Sequence, residues 1–204
     1  MKVSVIIPVF NREELIRKCL DSIPDIEDIE VIVVNDGSTD GTWNAVNSYD
    51  RLQGKIKLLS QPNSGPGIAR NTGLDNAQGD YIFFLDSDDY IYGDVFKEII
   101  DKYVPSNYDI IWTARERNDG YTWVSPYSLQ GCFVRRSFVN GARHSNKLHA
   151  EDTEFMWQLI SKRRREVTIS SPPVYHYNLN VNADGTVDGI EGSLTWKRLR
   201  GLLK

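Results

Sequence analysis

The sequence predicts an α/β fold whose central, mostly parallel sheet carries helices on both faces. Two observations lead to this prediction. Four short apolar runs in the first 90 residues are continuous rather than alternating, which is typical of strands covered on both faces. Each run is followed by a segment with helical spacing or turn residues. Repeated strand–helix units favour parallel strands joined by crossover helices.

The four predicted strands of this half end in polar residues. They are VSVIIPVF (3–10), EVIVVND (30–36), KIKLLS (55–60) and DYIFFLD (80–86). In an open parallel sheet, ligands bind beyond the carboxyl ends of the strands. We therefore expect Pro8 to Asn11, Asp36 and the acidic residues from Asp86 onward to face one crevice.

Three helices are predicted between these strands. The first spans residues 11–23, with Asn11 as N-cap and Glu14 three residues later. Its apolar positions recur at helical spacing and are Leu15, Ile16, Cys19, Leu20 and Ile23. The second begins near Thr42 and places Trp43, Val46 and Tyr49 on one face. The third is GIARNTGLDNA (67–77).

The second half of the chain alternates less regularly. YDIIWT (108–113) and CFVRR (132–136) are predicted strands, EDTEFMWQLI (151–160) a helix and VYHY (174–177) a late strand. No linker separates two domains, so we expect a single domain over residues 1–204, with halves at 1–90 and 91–204.

Composition limits the class of protein. A net charge of −4 argues against a nucleic-acid partner. Two cysteines predict a reducing compartment, and no signal peptide or span of about 20 apolar residues is seen. We therefore expect a cytoplasmic protein. The basic clusters at 162–165 and 197–200 are interpreted as solvated helix faces, with weak contact to an anionic membrane surface as the alternative.

The stretch FFLDSDDY (83–90) holds three acidic residues at a predicted strand end. It does not open an EF-hand, because position twelve counted from Asp86 is Lys97. Asp-x-Asp at a strand end suits Mg²⁺ or Mn²⁺ that takes its other ligands from water and phosphates. The alternative is a capped turn before a helix near Asp94.

Three further motifs each have a structural and a functional interpretation. Gly37 to Thr42 is explained by a turn and a helix N-cap, whereas Asp36 could accept a hydrogen bond from a nucleobase N–H. NSGPGIARN (63–71) lacks the third glycine of a dinucleotide fingerprint. Arg70 is either a surface residue or an arginine that reaches a phosphate or nucleotide with its planar guanidinium. EDTEF (151–155) could be acids that favour a first helical turn.

His176 is one further candidate. It lies among tyrosines in a late strand, where a packing role is the more frequent one and a ligand role is the alternative.

Taken in this order, the motifs resemble the inverting glycosyltransferases of family 2, which have the GT-A fold. The matching stretches are SVIIPVFN (4–11), VVNDGSTDGT (33–42), NSGPGIARNTGL (63–74), YIFFLDSDD (81–89) and EDTEF (151–155). The resemblance is dense up to residue 90 and looser from 131 to 177.

The resemblance implies a role for each matching residue. Pro8, Val9 and Phe10 would border the nucleotide base, and Asp36 would bond to it. Asn63 and Arg70 would help to hold the nucleotide. Asp86 would lie near the ribose, Asp88 would bind Mn²⁺ or Mg²⁺, and Asp152 would be the catalytic base.

By the same resemblance, the protein would transfer a sugar from a nucleotide-sugar, with UDP the commonest donor base, to a hydroxyl of a glycan or glycoconjugate. The half at 1–90 would bind the donor, and the half at 91–204 would face the acceptor. Only about 60 residues separate the two acidic motifs, which is short for such enzymes. The acceptor site would therefore be small, open, or completed by another subunit of an oligomer.

Two rival functions are weighed against this one. A nucleotidyltransferase would need a glycine-rich loop after the first strand, where this chain has PVFNREE. A sheet that binds nucleotide-sugar or glycan without turnover would not need both Asp88 and Asp152.

Overall fold

A computed structural model describes residues 1–52, 54–126, 128–146 and 151–178 of the chain. Its strands, numbered in chain order, are β1 Val3–Val9, β2 Ile29–Asn35, β3 Ile56–Ser60, β4 Tyr81–Phe84, β5 Tyr90–Ile91, β6 Ile110–Thr113, β7 Arg115–Arg117, β8 Thr122–Trp123, β9 Cys132–Arg135, β10 Glu166–Ile169 and β11 Tyr175–Tyr177. Its α-helices are α1 Ile16–Asp21, α2 Thr42–Asn47, α3 Pro66–Asn76, α4 Gly93–Tyr103, α5 Arg136–Val139 and α6 Glu151–Ile160.

Seven strands form the main sheet, in the order β10-β6-β9-β4-β1-β2-β3. Within it β1, β2, β3 and β4 are mutually parallel, and β10 is parallel to β6. Only β9 runs antiparallel to its neighbours in this sheet, β4 and β6. The predicted mostly parallel sheet is therefore confirmed.

Apolar side chains of the central strands point alternately to the two faces of the sheet. On one face Val5 and Ile7 of β1 pack in a core with residues of α1, α2 and α4. On the other face Ile6 packs in a second core with residues of α3, α5 and α6. Burial on both faces explains why the strands are continuous apolar runs.

Helix α3 lies very close to the sheet. A Cβ atom on Gly73 would come within 2.3 Å of Ile6 Cγ2, so only glycine fits at this position without displacement. This close contact brings the amino end of α3, with Arg70, to the crevice end of the sheet.

A second, smaller sheet has the order β5-β11-β7-β8. In it Tyr175 of β11 pairs with Arg115 of β7 in parallel and with Ile91 of β5 in antiparallel register. The late strand at 174–177 was predicted, but β5, β7, β8 and β10 were not. These strands have two to four residues each, too few for a periodic signal.

Several local predictions are wrong. Helix α1 begins at Ile16, and Asn11 is not its N-cap. Asn11 has φ +50°, and its Oδ1 accepts a hydrogen bond from the Thr39 N–H. Leu15 and Trp43, predicted on apolar faces, are 38% and 40% exposed.

The basic cluster at 162–165 is not on a helix face, where it had been predicted. Residues 162–165 follow α6 rather than lying on its face. Lys162 Nζ donates to the Phe138 and Val139 carbonyls, and Arg164 pairs with Glu166. The cluster at 197–200 lies outside the described residues. Among the residues described, no helix is long and apolar enough to cross a bilayer.

Candidate functional site

A cleft of about 520 Å³ opens at the carboxyl ends of β1, β2 and β4. It is where the crevice was predicted, since parallel strands present these ends at one edge of the sheet. The described residues that line it are Pro8, Val9, Phe10, Arg12, Asp36, Asn63, Gly65, Pro66, Arg70, Asp86, Ser87, Asp88, Asp89, Tyr177 and Asn178. The cleft thus brings together every residue to which the resemblance gave a role, except Asp152. Asn11, which was also expected to face the crevice, is not among the lining residues.

Asp36 follows β2 directly and is 3% exposed. Its Oδ1 accepts hydrogen bonds from Gln61 Nε2 at 2.7 Å and the Ser64 N–H at 2.9 Å. Its Oδ2 accepts from the Gly65 N–H at 2.8 Å. Asp36 therefore fixes the loop before α3. A carboxylate has about four acceptor positions, so one remains for a further donor in the cleft.

The apolar wall of the cleft comes from the end of β1. Pro8 and Val9 are strand residues, and Phe10, just beyond, is 41% exposed. The turn that follows is held by the Asn11 N–H, which donates to Ser38 Oγ at 3.0 Å. An exposed aromatic ring at the mouth of a polar cleft offers a flat apolar face to a planar ligand.

The acidic turn after β4 gives its three carboxylates different surroundings. Asp89 accepts hydrogen bonds from Tyr175 Oη at 2.5 Å and the Asn178 N–H at 2.8 Å. Burial, with the charge of Asp86, raises the pKa of Asp89 to about 8. Asp89 therefore links the turn to β11, a role that the sequence did not predict.

Asp88 has a looser environment within the same turn. Arg12 Nη2 lies 3.5 Å from its Oδ2, and 24% of its side chain is exposed. Burial and the neighbouring Asp86 raise the pKa of Asp88, against the opposing effect of Arg12. A bound cation would favour the ionised form of this carboxylate.

Residues in the described ranges include no group of three or more His, Cys, Asp or Glu arranged to hold a metal ion. The donor set nevertheless fits Mn²⁺ or Mg²⁺ shared with a ligand, because such ions are often held by one or two carboxylates and complete their shell with water and phosphate oxygens. Asp88, which lines the cleft, is the carboxylate suited to that role.

Arg70 joins the two acidic motifs. The residue is 4% exposed, so its interpretation as a surface arginine is wrong. Its Nη2 donates to Asp86 Oδ1 at 2.7 Å, and its Nη1 donates to Asp152 Oδ1 at 2.9 Å and Glu151 Oε1 at 3.2 Å. Burial alone would lower the pKa of Arg70, but these carboxylates raise it, so the guanidinium is charged.

Asp152 is the second residue of α6 and lies beside the cleft, where its Oδ1 pairs with Arg70 of the cleft lining. Burial raises its pKa to about 6; Arg70 opposes this rise, and Asp86 and Glu151 add to it. The Asp152 side chain is 23% exposed, whereas that of Glu151 is 11% exposed. Asp152 is thus the more accessible carboxylate of the pair, and its burial makes it more basic than a free aspartate.

A histidine that the sequence did not single out lies next to Asp152. His144 Nδ1 is 3.5 Å from Asp152 Oδ1, and the ring stacks on Phe155 with a centroid distance of 4.2 Å. Burial and the charge of Arg70 lower the pKa of His144 to about 3. The His144 ring is therefore neutral at neutral pH.

The late strand contributes to the site through neighbours of His176. The His176 ring stacks on Tyr90 at 4.2 Å and is 8% exposed, in keeping with its predicted packing role. Tyr177 and Asn178 line the cleft instead. A pattern search could have found them only by placing β11 beside the acidic turn.

Gln130 is a further residue that sequence reasoning missed. Its Nε2 donates to Asp86 Oδ2 at 2.8 Å and to Asp152 Oδ2 at 3.2 Å. It belongs to none of the motifs, and its position in the loop before β9 gives no periodic signal.

The fold is shared with a solved structure of the GT-A fold. The structure of Staphylococcus aureus TarS 1–349 in complex with UDP-GlcNAc superposes with a TM-score of 0.78 at 26% identity, covering 87% of this chain and 58% of TarS 1–349. The sequence model described as "Glycosyl transferase family 2" matches residues 4–168. The chain belongs to this family, and the predicted resemblance and fold class are confirmed.

Two curated relatives show how far the similarity extends. EpsJ of Bacillus subtilis (strain 168), an uncharacterized glycosyltransferase, is 33% identical over 159 residues, which is 76% of this chain and 45% of EpsJ. The poly(ribitol-phosphate) beta-glucosyltransferase of Bacillus spizizenii is 42% identical over 97 residues, which is 45% of this chain and 15% of the relative. The chain thus spans less than half the length of either relative.

Proposed function

We propose that this protein transfers a sugar from a nucleotide-sugar, most directly a UDP-sugar, to an acceptor hydroxyl with inversion at the anomeric carbon. The observation that supports this proposal best is the pair of ion pairs made by Arg70. They link Asp86, at the proposed donor site, to Asp152 in the first turn of α6, at the edge of the cleft. Family membership supports the reaction class, and the TarS complex with UDP-GlcNAc supports a UDP-sugar as the first donor to test.

The donor nucleotide would lie along the carboxyl ends of β1, β2 and β4. Pro8, Val9 and Phe10 would border the base, and Asp36 would accept a hydrogen bond from it. The donor-binding half would thus correspond to residues 1–90. This assignment rests on the free acceptor position of Asp36 and on the apolar wall beside it.

The remaining donor contacts would come from the loop before α3 and from the acidic turn. Asn63 and Arg70 would help to hold the nucleotide, and Asp86 would lie near the ribose. Because both terminal nitrogens of Arg70 already bond to carboxylates, its contribution would combine ligand contact with the positioning of Asp86.

Asp88 would hold Mn²⁺ or Mg²⁺ together with the donor diphosphate. When bound, the ion supplies positive charge that neutralises the diphosphate leaving group. Arg12, 3.5 Å from Asp88, adds a protein cation on the same side of the cleft.

Asp152 would act as the general base. The acceptor oxygen forms a bond to C1 of the sugar, the C1–O bond to the diphosphate breaks with its electron pair, and the hydroxyl proton moves to the Asp152 carboxylate. Its pKa of about 6 suits this task, since a base works best when its pKa is near the working pH. A single displacement of this kind inverts the anomeric centre.

The acceptor would be a hydroxyl of a cell-surface polysaccharide or glycoconjugate, bound by residues of the half at 91–204. Poly(ribitol phosphate), which is part of the name of the Bacillus spizizenii relative, is the first candidate. An oligomer could complete this side of the site. Both cysteines are buried and unpaired, which fits work in a reducing, cytoplasmic setting, including the inner face of a membrane.

A panel of UDP- and GDP-sugars, each with a set of glycan acceptors that includes poly(ribitol phosphate), tests the proposal by nucleotide release and by NMR of the product. The product linkage should have the anomeric configuration opposite to that of the donor. Retention would contradict the direct displacement, and donor binding without any release would favour the rival function of binding without turnover.

The Asp152→Asn variant tests the base. It keeps the size of the side chain, and Arg70 keeps its contacts to Asp86 and Glu151, so melting and donor affinity should stay near those of the wild type. The kcat for transfer should fall by about 10² or more, as expected when a general base is lost. Asp75→Asn is the matched control, since Asp75 pairs with Arg143 at the surface. If the Asp152→Asn variant kept most of its activity, the role of general base would pass to Glu151.

A further inference from the structure

Two carboxylates far apart in sequence, Asp86 and Asp152, are bridged twice. Arg70 bonds to the Oδ1 atom of each, at 2.7 and 2.9 Å. Gln130 Nε2 bonds to the Oδ2 atom of each, at 2.8 and 3.2 Å. All four carboxylate oxygens therefore have a donor, and the two bridges fix the planes of both groups.

We propose that Gln130 is a positioning residue, which fixes the orientation of the Asp152 carboxylate relative to the donor-binding Asp86. The inference rests on the proposed function of Asp152 as general base. With Arg70 alone, the Asp152 carboxylate could turn about its single contact to Nη1. The second contact, on the other oxygen, removes that freedom, and a base must be held within a narrow range of angles to meet its proton.

The orientation of the Gln130 amide is itself determined. Its Oε1 accepts a hydrogen bond from Ser128 Oγ at 2.7 Å, so its NH₂ group faces the two carboxylates. The reverse orientation would place Oε1 against two acidic groups. Both N–H bonds of the amide are thus used, one on each carboxylate.

The backbone around Gln130 is also constrained. Gly131, next in sequence, has φ +70°, and a Cβ atom there would come within 2.7 Å of Arg115 Cγ. Glycine at this position lets the chain turn sharply into β9 and fixes where Gln130 begins. A rigid support of this kind is what a positioning residue requires.

A neutral bridge suits a base better than a second cation would. Gln130 contributes hydrogen bonds but no full charge, so Asp152 keeps a pKa raised by burial while its ionised form is still favoured by the amide. Loss of the amide should raise the pKa of Asp152 further, because the ionised form loses a donor.

Gln130→Met tests the proposal, since it keeps the length of the side chain and removes both N–H donors. The readout is the pH titration of the Asp152 carboxyl carbon by ¹³C NMR, which needs no substrate. We expect the midpoint to move upward by about 1 pH unit. Gln78→Met is the matched control, on an exposed glutamine at the opposite end of β4, and should leave the midpoint unchanged.

Kinetics with the active donor and acceptor give the second readout. For Gln130→Met, kcat for transfer should fall about tenfold or more, with a smaller change in the KM for the donor. The acidic limb of the plot of kcat against pH should move to higher pH. Should Gln130→Met not fold, Ser128→Ala, which frees the amide to rotate, should give a smaller change of the same sign. An unmoved midpoint, or an unchanged kcat, would overturn the positioning role. If the Asp152→Asn variant transferred sugar at the wild-type rate, that result would instead overturn the proposed function.

Discussion

Replacement of Arg70 by methionine should destabilise the protein strongly. Arg70 is 4% exposed, and its three carboxylate contacts measure 2.7, 2.9 and 3.2 Å. At an effective dielectric constant of about 20, each contact corresponds to roughly 5–6 kcal/mol of gross attraction. The cost of burying the charges offsets much of this. Removing one partner of a buried pair costs about 3–5 kcal/mol of unfolding free energy, because the other charges stay buried without it.

The destabilisation caused by Arg70→Met should depend on pH, and the pKa of Asp152 determines the direction of that dependence. Asp152 has a pKa of about 6 with Arg70 present, and Arg70 holds that pKa down. Without the guanidinium, the pKa of Asp152 rises further above its unfolded value, so the folded variant binds a proton that the unfolded chain releases. Stability of the variant therefore falls, relative to the wild type, as pH rises through that window.

Urea denaturation of wild type and Arg70→Met at pH 5 and pH 8 measures both effects. We expect the full loss at pH 8 and a clearly smaller one at pH 5. Arg143→Met is the matched control: its pair with Asp75 is exposed and should contribute less than about 1 kcal/mol. A loss for Arg70→Met that is as small as the control's, or equal at the two pH values, would refute the network as described.

Three further changes test other parts of the structure. Asp36→Ala should weaken UDP affinity in calorimetry while leaving any metal dependence intact; an unchanged Kd would reduce Asp36 to a loop anchor. Gly73→Ala should cost about 1–3 kcal/mol and lower the melting temperature, because its Cβ would lie 2.3 Å from Ile6 Cγ2; a native melting temperature would contradict this packing. Tyr175→Phe should cost about 1–3 kcal/mol in urea denaturation at pH 9, where Asp89 is ionised, and less at pH 6; equal costs would contradict the raised pKa of Asp89, about 8.

The sheet and the cleft at the carboxyl ends of its strands could be predicted from sequence for a physical reason. Buried parallel strands must be continuous apolar runs, and their carboxyl ends must meet at one edge. Asp36, Asp86 and Asp88 each follow such a run, so the topology alone brings them together. Helix α6 was also predicted within its observed bounds, since its apolar positions recur regularly.

Other features could not be predicted because they depend on contacts between distant residues. Arg70 meets Glu151 and Asp152 across 81 and 82 residues, and no local pattern marks that pairing. Gln130 lies in a loop without periodicity. Asn11 shows a different difficulty. The short polar side chain that makes asparagine a good N-cap also lets asparagine adopt positive φ in a turn, and Asn11 adopts the turn conformation.

We propose that the cleft binds a nucleoside diphosphate together with a divalent ion at Asp88. Calorimetric titration of UDP into wild type and Asp88→Asn, with Mn²⁺ and with EDTA, tests this site. Wild type should bind UDP about tenfold or more tightly with Mn²⁺. Asp88→Asn should keep its fold and lose most of that gain. Equal affinity of wild type with and without the ion would contradict a metal site at Asp88, and no saturable UDP binding would contradict a nucleotide site in the cleft.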